Sequence, residues 1–323
     1  MLSTEAFYRP YHGHTPAELE VVANALRAHG GGRRSIVWLA GDSSLDNKFW
    51  LDDARKIPAA NGLASVFSPP HTPPDIAAHL NILLASELPT FGCVNAAVEE
   101  STLGGRGSAL SRGAPFLSSA QDALLARCLE AGDVIVASAG GNDVVLKPAV
   151  STVAALGAVL ALGSDAGIDS GAACGMGTLV ALFKREMEAY LAALTAATKP
   201  VCALALFPYF PGVTGNGWAD TSLSLMGYTG NPARLQRVMR AVYKLATQQL
   251  VVPGVTVVPL ALFDVLDANE EGDYVARVEP SAKGGAKMAR AIVDAVKGAL
   301  GRLGRRNSRG GGGGGGSGSG GGK

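Results

Sequence analysis

The chain has 323 residues, 47% of them hydrophobic and 17% charged, which is enough to bury one large core and lies outside the composition range of disordered proteins. Its 28 lysines and arginines balance 27 aspartates and glutamates for a formal charge of +1, which excludes a global field that would hold the body on nucleic acid or an acidic bilayer. Partners must then be recognised through a site, and no stable membrane insertion is expected, since no run reaches the ~20 apolar residues that a span needs.

The opening, MLSTEAFYRPYHGHTPAE, lacks the basic and then apolar regions of a secretory signal, so a soluble, intracellular protein is the expectation. Residues 1–34 read as a helical lead-in, 35–303 as the main domain and 304–323 as a disordered glycine- and serine-rich tail whose burial could not repay its ordering entropy. Within the main domain, short apolar runs alternate with longer amphipathic ones. Strands are expected over 35–40 (SIVWLA), 89–95 (PTFGCVN), 133–138 (DVIVAS), 200–207 (PVCALALF) and 255–260 (VTVVPL).

The runs between them read as crossover helices over 73–86 and 118–130, then through Leu179, Phe183, Met187, Tyr190 and Leu194, and through Leu235, Val238, Val242 and Leu245, where Asn231 and Pro232 open the helix. A last helix follows Ser281. The segment 149–163, AVSTVAALGAVLALG, is apolar nearly all round and too short to span a bilayer, so it reads as a buried or lid-like helix. The whole is α/β, a three-layer α/β/α sandwich on a five-stranded parallel sheet. Cys93, Cys128, Cys174 and Cys202 have no CxxC spacing and read as reduced core thiols, and no motif implies a metal or an organic cofactor.

In an open parallel sheet, ligands bind beyond the carboxyl ends of the strands, so the residues just after each strand carry the chemical information. The first strand runs into Gly41, Asp42, Ser43 and Ser44, the second into Asn95 and EEST, the third into Gly140, Gly141, Asn142 and Asp143, and the fifth, after a loop, into Glu279, Pro280 and Ser281. These are the parts of an acyl-transfer site. Ser43 would stand at a strand-to-helix turn, where free backbone N–H groups favour negative charge, and Gly41 permits the turn. The Asn142 side chain and the Ser43 and Glu100 amides would supply three donors to a tetrahedral oxyanion.

VWLAGDSSLD, CVNAAVEEST and ASAGGNDVVL resemble, in this order, the first three signature blocks of the SGNH (GDSL-type) hydrolase superfamily, a likeness that covers roughly residues 35–300. It implies a flavodoxin-like fold and a serine esterase, carboxylesterase- or lipase-like, that hydrolyses an ester of a lipid or carbohydrate through an acyl-enzyme at Ser43. Two departures mark a divergent member. The family places glycine where Glu100 aligns. Its last block, Asp-x-x-His-Pro, is met by Ala276-Arg277-Val278-Glu279-Pro280, so EPS stands in place of the histidine.

All five histidines, His12, His14, His29, His71 and His79, precede the GGND block. The base would be Glu279, its pKa raised from the ordinary ~4.3 by burial, or alternatively Asp273, where one of the two carboxylates could raise the other's pKa as a like-charge neighbour, or else a relocated histidine such as His71. The plainer reading of Glu279 is an acid at a helix start, before the capping Ser281. Lys48 and Asp46 follow Ser43 by five and three positions on an expected helix; five is the wrong face, so Lys48 reads as a solvent-facing or ion-paired lysine, and Asp46 as a support for the turn. His12, His14 and His71 lack partners at metal-ligand spacing. Tyr209, Phe210 and Trp218 follow the fourth strand, where they would either line a cleft or pack. A different class of reading is a catalytically silent binding module that keeps the fold and has lost the triad histidine.

Overall fold

The computed structural model describes residues 1–111, 113 and 117–310, with side chains described for these except 108–111 and 306–310. All five expected strands are present: β1 (Ser35–Gly41), β2 (Phe91–Asn95), β3 (Val134–Ser138), β4 (Cys202–Phe207) and β5 (Val257–Ala261). They form one all-parallel sheet in the order β2-β1-β3-β4-β5, a flavodoxin-like topology whose direction of winding reverses between β1 and β3.

Seven helices concern the argument: α1 (Pro16–Ala28), α2 (Ile76–Glu87), α3 (Ala120–Cys128), α4 (Val150–Leu162), α5 (Met187–Leu194), α6 (Pro232–Leu245) and α7 (Ala282–Gly310). The first starts where its sequence says it should: Thr15 and Glu18 close a reciprocal capping box ahead of Pro16 in the first turn. Because side chains alternate along a strand, Ile36, Trp38 and Ala40 pack beneath α1, α3 and α5, whereas Val37 and Leu39 pack beneath α2 and α7. Burial on both faces is why the strands are apolar throughout rather than alternating.

A third apolar cluster lies beyond the carboxyl ends of the strands, where α4, α6 and the helix Met176–Ala181 converge on Phe207. The helix expected through Leu179 to Leu194 is found in consecutive pieces, Met176–Ala181, a π-helical turn over Leu182–Glu186, and α5. The all-apolar α4 proves half-buried: Ala155, Leu156 and Val159 face inward, while Val150 is 87% and Leu162 80% exposed. Of the tail expected over 304–323, residues 304–310 continue α7. The remainder, 311–323, lies outside the described residues. Among the described residues no helix is long and apolar enough to cross a membrane. Of the four free cysteines, Cys93 and Cys202 are buried in strands, Cys128 is half-buried and Cys174 is exposed, so the last is no core thiol.

Candidate active site

The reversal of winding between β1 and β3 opens a crevice at their carboxyl ends, and Ser43 and Asn142 are the residues that the two strands deliver to it. At the end of β1 the chain must pass against β3. Gly41 adopts φ +131°, and a Cβ there would fall 1.6 Å from the Ser138 carbonyl oxygen, so only glycine fits. The Asp42 amide then donates to Ser138 O at 3.0 Å, and the Asp42 carboxylate accepts from the Ser44 amide (3.0 Å) and hydroxyl (2.6 Å). This is a side-chain-stabilised turn rather than the start of an α-helix, since a short 3-10 helix over Lys48–Leu51 is all that follows. Ser43 is left at the apex, 8% exposed.

The second block sits beside it. Val98 N donates to Gly41 O at 2.9 Å and Ser101 Oγ to the same carbonyl at 2.9 Å, which staples the loop after β2 to the Ser43 turn. Glu100 occupies the left-handed region at φ +58°, which explains why a glycine is the easier choice at this position and why glutamate is tolerable: its side chain points away to an ion pair with Lys147 at 2.8 Å. Neither the Ser43 nor the Glu100 amide has an acceptor among the described residues. Asn142 donates its Nδ2 to Ser101 O at 3.0 Å, and Asp143 accepts from the Leu103 and Gly104 amides at 2.7 and 2.6 Å, tying the turn after β3 to the same loop.

Glu279 arrives from the far end of the sequence on a tight hairpin in which Val275 pairs with Glu279 and Tyr274 with Pro280. The loop turns through consecutive left-handed residues, Ala276 (φ +49°) and Arg277 (φ +67°). Three anchors hold it: Tyr209 Oη donates to Val278 O at 2.6 Å, Asn47 Nδ2 to Pro280 O at 3.0 Å, and Arg277 pairs with Asp220 at 2.8 Å. The result is a carboxylate 3% exposed, with Oε1 3.4 Å from the donating Ser43 hydroxyl. Oε2 accepts no hydrogen bond of ordinary geometry. Burial pushes the Glu279 carboxyl up to about 8, and the negative charges of Asp42 and Glu99 add to the rise, while the Ser43 hydroxyl and the Trp218 indole oppose it. Burial likewise pushes Asp42 up to about 6, against the hydrogen bonds from Ser44.

Asp273, the other carboxylate expected near Glu279, is engaged elsewhere: Lys287 Nζ donates to it at 2.6 Å and the Asp267 amide at 3.1 Å, so it secures α7. None of the five histidines hydrogen-bonds Ser43. His71 is exposed in a short strand paired with Ile57–Pro58. His14 is buried with its ring 3.8 Å from that of Phe7, and burial, then the Lys48 charge, lowers its pKa to about 3, so it is a neutral core residue. Among the described residues no group of three or more histidines, cysteines and acids could hold a metal.

Lys48 is neither solvent-facing nor on a helix with Ser43. Its fully buried ammonium lies 2.5 Å from Asp46 and also binds Glu99, whose other oxygen accepts from the Gly13 amide at 2.5 Å. Only EE at 99–100 hinted at this, because two adjacent acids after a buried strand need a cation nearby if one of them turns inward. Tyr209 and Trp218 line the crevice, whereas Phe210 stacks on Phe263 at 4.9 Å and packs. The crevice opens into a cleft with Ser43, Asn142 and Glu279 among its lining residues.

No family model matches the sequence. No curated protein matches it either. Among solved structures, the chain is similar to the acetylxylan esterase Axe2 from Geobacillus stearothermophilus (16% identity over 81% of this chain and 94% of that one, TM-score 0.40). It is also similar to an extracellular lipase from Streptomyces rimosus (13% identity, 81% and 99% covered, TM-score 0.40). A third likeness is to a candidate GDSL-like lipase from Parabacteroides merdae (13% identity, 81% and 94% covered, TM-score 0.39).

Proposed function

We infer that the protein is a serine ester hydrolase of the SGNH type in which Glu279 replaces the histidine as general base. The observation that carries this reading is the pairing of Ser43 Oγ with Glu279 Oε1 at 3.4 Å, by a carboxyl whose pKa of about 8 suits it to taking a proton near neutral pH. Ser43 Oγ attacks the ester carbonyl carbon while its proton passes to Glu279. The oxyanion is met by the free Ser43 and Glu100 amides and by the second N–H of Asn142. Collapse of the tetrahedral species expels the alcohol, which takes the proton from Glu279, and water activated by the same carboxylate releases the acid and regenerates Ser43. Asp42 and Asp143 shape the turns that hold the donors, and Gly41 allows the first of them.

A fluorophosphonate probe tests the nucleophile. Covalent labelling at pH 8.5 that disappears in Ser43→Ala is the expected result, and a chain that stays unlabelled from pH 6 to 9 overturns the assignment. The second reading, a binding module without catalysis, is favoured by Glu279 Oε2, which accepts no hydrogen bond of ordinary geometry, since an orienting partner there completes most triads. A ligand bound in the cleft by a chain that never labels would decide for it.

A further inference from the structure

We propose that the cleft seats the acyl chain of an unbranched aliphatic ester, with the carbonyl at Ser43 and the alkyl tail running beneath α6. This deepens the serine-hydrolase reading and rests on it. The cleft is polar only at one end, where Asp42, Ser43, Ser44, Asn142 and Glu279 meet. Beyond them the wall is apolar: Leu156 from α4, Leu179 from the helix Met176–Ala181, Phe183 from the π-helical turn that follows it, and Leu235, Val238 and Val242 from α6. The last three recur at helical spacing along one stripe of α6, so a single face of that helix is given over to the cavity.

Phe183 closes the wall beside the third block because position 140 is glycine. A Cβ on Gly140, which has φ +117°, would lie 2.3 Å from Phe183 Cε1. The Tyr209 hydroxyl is already committed to Val278 O. A hydroxylated acyl or sugar group pushed to the far end would therefore lose its water and find no donor or acceptor in exchange. An alkyl chain matches the apolar lining, and each methylene taken out of water should strengthen binding about fourfold.

Two measurements on the full chain test this. In the first, kcat/KM for p-nitrophenyl esters from acetate to decanoate should rise about fourfold per methylene until the cavity is full, and Val238→Trp should lower the ratio of octanoate to acetate rates at least tenfold. A rate that is highest for acetate overturns the inference while leaving Ser43 as nucleophile. In the second, binding of neutral primary alkanols from hexanol to decanol, followed by Trp218 fluorescence and calorimetry, requires no turnover. Affinity that climbs with length, in a chain that hydrolyses no ester, upholds the cleft and overturns the catalytic reading. Affinity indifferent to length overturns the cleft.

Discussion

The turn that carries Ser43 and the hairpin that carries Glu279 meet across 3.4 Å, yet they are built in opposite ways. The Ser43 turn takes its shape from its own residues where it meets the sheet: Gly41 has no room for a side chain, and Ser44 folds back on the Asp42 carboxylate. The Glu279 hairpin has no glycine or asparagine where its chain turns left-handed, at Ala276 and Arg277. It is held instead by Tyr209, Asn47 and Asp220, residues distant in sequence. A nucleophile can thus be written into a short motif, whereas its base is delivered by the rest of the fold.

The largest effect that bears on this contrast should come from Glu279→Gln. It removes the base and should lower kcat/KM by roughly 10²–10⁴-fold in an esterase assay, the range that general-base removal spans. The same substitution should stabilise the fold at alkaline pH. The carboxyl holds its proton more tightly when folded, up to about 8 against 4.5, so its contribution to stability is complete below pH 4.5 and is lost as pH rises toward 8. Over that window the native state gives up on the order of 3–5 kcal/mol. Glutamine never ionises and should retain it, so a thermal melt at pH 8.5 in which the variant unfolds earlier than the parent would contradict the assignment.

The parent's rate carries the same titration with the sign reversed. Only the ionised carboxylate accepts the serine proton, so kcat/KM should rise with pH and level off above about 8, with roughly a hundredth of the plateau remaining at pH 6. A flat profile from pH 6 to 9 would assign the base to another group.

Lys48→Met probes the support behind the serine turn. It leaves Asp46 and Glu99 buried without their cation and should cost about 3–5 kcal/mol in denaturant titration. Should the loss be within ~0.5 kcal/mol, the network is not holding the loop after β2. The smallest effect is expected of Tyr209→Phe, which deletes one hydrogen bond to the hairpin and should cost ~1 kcal/mol of stability. The contrast is sharpened if this variant loses ester turnover severalfold while Ser43 still labels with fluorophosphonate, because only the base would have been displaced.

Amino-acid order by itself determined the five parallel strands and the polar residues at their carboxyl ends, since each depends on the local run of apolar side chains and on glycine where backbones must touch. It left the choice among Glu279, Asp273 and a relocated histidine open, because a carboxyl's pKa depends on who surrounds it. Burial raised Glu279, while Lys287 engaged Asp273, and neither outcome has a signature within a few residues of the acid. The inward turn of Lys48, the half-exposure of α4 and the apolar cleft beneath α6 were likewise decided only in three dimensions, where segments distant in sequence exclude water together.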